Sequence, residues 1–392
     1  MIQLADRTTM IQPSMTLAIS SRAKSLAATG VDVCNFGVGE PDFNTPEHIR
    51  EAAKAALDAG KTKYAPAGGV PRLRALIAEK LRRENGLPYA PEQVIVSTGG
   101  KQALFNVLLS LLSPGDEALI PIPYWVSYPE IVKLCRAKPV FIPTTEETGF
   151  KVTPEQVAAA ITPRTRVLIF NSPSNPTGVI YTPKEITALA EVLVAHSVAV
   201  LSDEIYEKLI YDGARHLSIG SLGEEIFNLT ITCNGFSKAY AATGWRLGYA
   251  AGPQHVIQAA IDIQSHSTSG ANTFAQYGAI AALEGSQDEV EIMRQQFKRR
   301  RDLMFEGVRA IPGLTCTRPQ GAFYVFPNIA ATGLDSLTFC AQLLEQEHVA
   351  IVPGIAFGAD TNVRLSYATD MATIEKGLAR LERFVGNGRM CE

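Results

Sequence analysis

Several short apolar runs in the chain stop on residues able to do chemistry. Val94–Ser97 leads into Thr98-Gly99-Gly100-Lys101, and Val167–Phe170 into Asn171-Ser172-Pro173-Ser174-Asn175-Pro176-Thr177-Gly178. Val198–Leu201 leads into Ser202-Asp203-Glu204-Ile205-Tyr206, and Asn234-Gly235-Phe236-Ser237-Lys238 lies just beyond Leu229–Thr232. The glycine pair at a helix start offers free N–H groups at the positive end of the helix dipole, which suits an anion such as phosphate. The other segments add an amide, a carboxylate, a phenol and a lysine. Singly, each is ordinary: an Asp after a strand is usually a turn residue, Asn-Pro is usually a turn, and a lysine is usually solvated. Ligands of open parallel sheets bind beyond the carboxyl ends of the strands, so it is the joint placement that carries the signal. The glycine loop is not a Walker A loop, because Ile95 stands at the first glycine position and Gln102 follows Lys101. No Gly-x-Gly-x-x-Gly follows a strand, so a dinucleotide fold has no support.

The elements that must carry these groups alternate. Ala118–Pro121 and Leu247–Ala250 read as further strands, and Lys101–Leu112 and Trp125–Cys135 as helices. Thr153-Pro154-Glu155-Gln156 and Thr182-Pro183-Lys184-Glu185 are capping boxes with proline at the first helical position. This rhythm predicts an α/β fold with a mainly parallel sheet covered on both faces. After about Gly285 it changes. Ser286-Gln287-Asp288-Glu289 caps a long charged helix to about Ala310, followed by strands at Ala322–Phe326, Ala350–Val352 and Val363–Tyr367, with helices around Leu337–Glu347 and Met371–Val385. That is the pattern of a smaller α+β domain. The segment before Pro46 has no βα rhythm and is placed with it, giving a large domain over 46–285 and a small discontinuous one over 1–45 and 286–392.

Composition bounds the partners. With 392 residues, 46% hydrophobic and 19% charged, the chain is long enough for two or three domains with a large core. A net charge of −3 argues against nucleic acid and against a polybasic membrane surface. No apolar run approaches the ~20 residues of a spanning helix, and the start lacks a signal-peptide pattern, so a cytoplasmic protein is expected. Six cysteines form no Cys-x-x-Cys pair, and all but Cys391 sit among apolar neighbours, as reduced buried thiols would. The six histidines are scattered, with no pair at i, i+4, and no metal site is expected.

The stretch Gly235-Phe236-Ser237-Lys238-Ala239-Tyr240-Ala241-Ala242-Thr243-Gly244-Trp245-Arg246-Leu247-Gly248 resembles the pyridoxal-phosphate lysine motif of the class I aminotransferases of fold type I. Asn171–Gly178 and Ser202–Tyr206 resemble two further signatures of that family, and the likeness runs from Gly37-Val38-Gly39-Glu40-Pro41-Asp42 to Val363-Arg364-Leu365-Ser366. It is closest to the bacterial-type aspartate aminotransferases. The resemblance implies that Lys238 holds pyridoxal 5'-phosphate as a Schiff base and then moves the proton at the substrate Cα. Asp203 would pair with the pyridinium nitrogen, Asn175 and Tyr206 with the phenolic oxygen, and Trp125 would stack on the ring. Backbone groups of Gly99, Gly100 and Lys101, with Ser237 and Arg246, would hold the phosphate. Tyr64 would reach the phosphate of a second subunit, which implies a homodimer. Arg364 would clamp the substrate α-carboxylate in a bidentate fork, with Gly39, Trp125 and Asn175 beside it. Some relatives carry a serine phosphate ligand where this chain has Gly235.

A dicarboxylate substrate needs a second cation. No Lys or Arg lies between Arg246 and Arg294, where animal-type enzymes carry one. The bacterial-type subgroup uses a lysine and an N-terminal threonine, which Lys101 and Thr16 match. The resemblance thus implies ping-pong transamination between L-aspartate and 2-oxoglutarate, with prephenate as a further acceptor. Aminotransferases for aromatic amino acids, kynurenine or alanine, and lyases of the same fold, would share every cofactor residue.

Overall fold

The computed structural model describes residues 2–389, so Cys391 lies outside it. Among these residues twelve strands are numbered in chain order from β1 (Cys34–Asn35). Seven build one sheet: β2 (Val94–Ser97), β3 (Glu117–Pro121), β4 (Lys138–Ile142), β5 (Thr165–Asn171), β6 (Ala199–Asp203), β7 (Thr230–Gly235) and β8 (Gly248–Ala251). Their order is β2-β8-β7-β6-β5-β3-β4. Five of them, β3 to β7, pair in parallel, while β8 runs antiparallel between β2 and β7. Side chains alternate between two apolar faces. Val167 and Ile169 join Ile95, Ile120 and Leu201 on one face, whereas Leu168 and Phe170 join Leu119 and Val200 on the other. Burial on both faces is the condition under which a parallel sheet is stable.

The reversal of β8 places chemistry. Its first residue, Gly248, pairs with Ser97 at the end of β2 and with Gly235 at the end of β7. The N-terminal end of β8 therefore meets the same sheet edge as the C-terminal ends of its neighbours.

Beyond the sheet, β1 pairs in parallel with β10 (Val349–Ala350). A second small sheet has the order β11-β12-β9, where β9 is Tyr324–Val325, β11 is Val352–Pro353 and β12 is Val363–Ser366. A separate core of Phe297, Phe323, Phe339, Leu365 and Leu381 forms between these strands and the helices Asp288–Ala310, Ser336–Glu347 and Met371–Arg389.

Several expectations need correction. The helix expected over Trp125–Cys135 begins only at Ser127, so Trp125 lies in the loop before it. The strand expected over Ala350–Val352 is two short strands that serve different sheets. Ser286 does not cap the long helix; the cap position is Gln287, which makes no side-chain cap bond, and Ser286 Oγ accepts from Asp288 N at 3.1 Å instead. The segment before Pro46 contains an unexpected helix, Met15–Ala28, which contacts β10 and β11. No described helix is long and apolar enough to cross a membrane.

Candidate active site

The anion end forms where β2 turns into the helix Gly100–Leu111. Gly99 adopts φ +89°, a conformation that suits glycine, and the Arg246 guanidinium packs where its Cβ would be. Arg246 itself sits at φ +52°, rare for a side-chain-bearing residue, two residues before β8. Its Nη1 donates to Thr243 O at 2.8 Å. Gly235 and Gly248 let the two backbones close at this edge: a Cβ on Gly235 would lie 3.0 Å from Gly248 Cα. A Cβ at 235 would press on Gly248 Cα and Leu247 O, each 3.0 Å away, and Ser237 brings a buried hydroxyl to the cleft.

The acid–base end lies beyond β5, β6 and β7. Lys238 Nζ donates to the Gly39 carbonyl. Burial pulls its pKa down to about 8; Glu40 opposes that shift, and the nearby Arg364 and Arg246 reinforce it. Asp203, at the end of β6, accepts from Tyr128 Oη at 2.7 Å and from Ile205 N at 3.2 Å. Burial raises its pKa to about 6 against the pull of those two donors. Asn171 ties adjacent strand ends together: its Nδ2 donates to Asp203 O at 2.9 Å and its Oδ1 accepts from Asn175 N at 2.9 Å.

The carboxylate end comes from the second core. Arg364, on β12, is only 3% exposed. Its Nη1 donates to Asn175 Oδ1 and its Nη2 to Gly37 O, both at 3.0 Å. Its Nε is buried without a partner among the described residues. Its guanidinium lies 4.4 Å from the Tyr324 ring centroid and 5.1 Å from that of Phe357. Across the cleft, Lys101 Nζ stands 4.9 Å from the Trp125 ring centroid. Burial and Arg246 lower the Lys101 pKa. Thr16, on the helix Met15–Ala28, lines the same space together with Leu17, Ser20 and Lys24.

One cleft of about 440 Å³ thus collects Thr16, Gly39, Gly100, Lys101, Trp125, Asn175, Asp203, Tyr206, Ser237, Lys238, Arg246 and Arg364. Gly99 lies just behind it, against Arg246. Tyr64 is elsewhere: it is 95% exposed, beside Thr268–Thr273. The sequence reading missed Tyr128, Tyr324 and Glu40. Tyr128 lies in the first turn of the helix that follows Trp125, and Tyr324 on a strand that was expected, but nothing local marks either as polar machinery. It also missed a buried polar knot beside Asp203, in which Glu204, Glu207 and His216 gather. Lys80 bonds Glu207, and Asn85 Nδ2 donates to Glu207 Oε2 at 2.7 Å and to Ser218 Oγ at 3.0 Å. The positive charge this acidic pair requires is therefore already supplied by a side chain.

The residues fit pyridoxal phosphate. A helix start with a flanking arginine suits its phosphate, a buried carboxylate suits its ring nitrogen, and an amine of lowered pKa suits its aldehyde. The family model "Aminotransferase class I and II" matches residues 31–381. An aspartate aminotransferase of Geobacillus stearothermophilus is 52% identical over 389 residues, covering 98% of this chain and 99% of that protein. An aspartate/prephenate aminotransferase of Cereibacter sphaeroides is 49% identical over 392 residues, covering 97% and 98%. The solved structure of Thermus thermophilus aspartate aminotransferase with maleate superposes with a TM-score of 0.94 at 47% identity, covering 98% of this chain and all of that one. The chain belongs to the class I and II aminotransferases.

Proposed function

We propose that this enzyme moves the amino group of L-aspartate to 2-oxoglutarate, giving oxaloacetate and L-glutamate in two alternating half-reactions. The observation that carries the substrate assignment is the placement of two cations, Arg364 and Lys101, in one cleft. A dicarboxylate spans such a pair, and a monocarboxylate does not. Pyridoxal phosphate, when bound, supplies the aldehyde that exchanges amines and the ring that takes up the electrons of the Cα–H bond. The chain supplies the rest. Lys238 anchors the cofactor and, once released, carries the proton from the substrate Cα, which its pKa of about 8 permits near neutral pH. Asp203 holds the ring nitrogen protonated, with Tyr128 keeping its carboxylate ionised. Asn175 and Tyr206 donate to the phenolic oxygen. Gly99, Gly100, Lys101, Ser237 and Arg246 hold the phosphate. Arg364, with Gly39 and Trp125 beside it, grips the α-carboxylate, while Lys101 and Thr16 receive the distal one.

We further read residues 46–285 as the cofactor domain, and 1–45 with 286–392 as the domain that brings Arg364 and Thr16. The exposed Tyr64 supports a homodimer in which it reaches the partner's phosphate site. Five cysteines without a disulfide support a reducing, cytoplasmic setting. The test is a donor and acceptor screen that includes alanine, phenylalanine and prephenate. Parallel double-reciprocal lines with aspartate and 2-oxoglutarate are expected, and their absence would refute the reading. Because several relatives are named for prephenate as well, formation of arogenate in the screen would widen the acceptor range.

A further inference from the structure

We propose that Tyr324 is a positioning residue that serves both ends of the site, its hydroxyl supporting Tyr206 and its ring supporting Arg364. This rests on Lys238 being the residue that binds pyridoxal phosphate. Tyr324 lies on β9 opposite Ser366 of β12, which puts it on the same face of that small sheet as Arg364, two residues earlier. The guanidinium sits 4.4 Å from its ring centroid. Its hydroxyl lies 2.8 Å from Tyr206 Oη, and both residues are buried.

Phe323, the adjacent residue, belongs to the same core without a hydroxyl. A buried hydroxyl is costly unless it is bonded, and among the described residues Tyr206 is the one hydrogen-bond partner of Tyr324. The fit is tight on the other side as well: a Cβ on Gly39 would come within 3.1 Å of the Tyr324 oxygen. The strap that carries Gly37 and Gly39 therefore closes directly against this phenol.

Each phenol has one proton to give. Burial holds both phenols protonated, and Tyr206 is pushed well above the usual phenol range. When Tyr206 directs its proton to the cofactor's phenolic oxygen, its own oxygen becomes the acceptor for Tyr324. Two donors in series polarise one another, so Tyr324 strengthens the hydrogen bond it does not itself make. A stronger donor on the phenolic oxygen stabilises its negative charge and weakens its hold on the proton of the lysine-bound cofactor. The other charged groups facing Lys238 are Glu40 from the strap, Arg364 from β12, Arg246 before β8 and Asp203 from β6; none of them is hydrogen-bonded to the Tyr324 hydroxyl.

The test is an absorbance titration of the protein reconstituted with pyridoxal phosphate, in wild type, Tyr324→Phe and Tyr324→Leu. The proton affinity of the lysine-bound chromophore is expected to rise about threefold in Tyr324→Phe. Maleate, which cannot transaminate, is read on the same chromophore. Its dissociation constant should stay within about twofold of wild type in Tyr324→Phe and rise about fivefold in Tyr324→Leu, which loses the ring under Arg364. An unchanged or lowered proton affinity in Tyr324→Phe overturns the proposal, as does equal weakening of maleate by both variants. Should the leucine variant not fold, the phenylalanine variant decides alone. A wild-type protein that forms no chromophore refutes the role of Lys238 and this proposal with it, whereas a normal wild type with an unaltered Tyr324→Phe refutes this proposal alone.

Discussion

Arg364 and Asn175 are hydrogen-bonded across the cleft, Nη1 donating to Oδ1 at 3.0 Å. One residue comes from β12 and the other from the loop after β5, so the walls proposed to hold the substrate carboxylate and the cofactor share a contact. Replacing Asn175 with Ala takes an acceptor from a buried guanidinium, a loss of about 1.5–3 kcal/mol. The expected outcome is a fall of roughly tenfold or more in kcat/KM for aspartate, with KM carrying part of it. Steady-state kinetics check this, and an unchanged KM would show that Asn175 does not orient Arg364.

Cofactor capture should depend on pH through Lys238. Only the neutral amine attacks an aldehyde, and burial brings the pKa down to about 8. Below that value the amine is protonated, so the capture rate should climb about tenfold per pH unit and level off above pH 8. Stopped-flow absorbance of protein mixed with pyridoxal phosphate reads it directly. A plateau reached only above pH 10, where an ordinary lysine titrates, would mean that burial does not tune this amine.

Lys101→Ala separates the substrate role of the side chain from the phosphate role of its backbone. Aspartate and 2-oxoglutarate should lose roughly tenfold in kcat/KM, as expected for a charge pair made in an open cleft, while alanine and phenylalanine change little. An equal loss for all four substrates would assign Lys101 to the phosphate instead.

The knot beside Asp203 predicts a stability effect far from any substrate. Glu207 is held down at a pKa of about 2: burial would raise it, but Lys80, His216 and Asn85 outweigh that. Lys80→Met takes the bonded ammonium from the mostly buried Glu207 and leaves it Asn85 and His216, at a cost of about 3 kcal/mol. The sign with pH follows from the lowered folded pKa. The stability due to Glu207 is complete above its unfolded value of 4.5 and fades as pH drops toward 2. Thermal midpoints of wild type and Lys80→Met should therefore differ most at neutral pH and converge below pH 4.5. A constant difference down to pH 3 would contradict the pairing.

The parts of the fold that were legible are those where local signals agree with the tertiary result. Thr153 and Thr182 each make the capping box their sequence spells, with the helices starting at Pro154 and Pro183. The site residues on β-strand ends were legible because a parallel sheet funnels every strand end to one edge. Arg246 was found by its motif, but its reason for being there was hidden. It precedes its strand, and only the reversed β8 makes that the correct end. The strand β4 went unread because Pro139 interrupts it, which an edge strand tolerates. The helix Met15–Ala28 has no side-chain cap bond and buries only Ala23, so no clear stripe announces it. Tyr128 and Tyr324 look like core aromatics in sequence, and their hydroxyls gain meaning only from partners 75 and 118 residues away.

Because Gly235 and Gly248 are paired, the connection between β7 and β8 is pinned at its base. Lys238 and Arg246, the two cations assigned to opposite ends of the cofactor, both ride on it. It behaves as a caliper with a set gap, and an insertion anywhere between them would change the length of ligand it can hold. Thr16 and Arg364 enter from the two extremities of the chain, on a helix and a strand outside that caliper. Under the proposed roles, substitutions near Thr16 and Arg364 would alter substrate preference without changing the length of the span between Lys238 and Arg246.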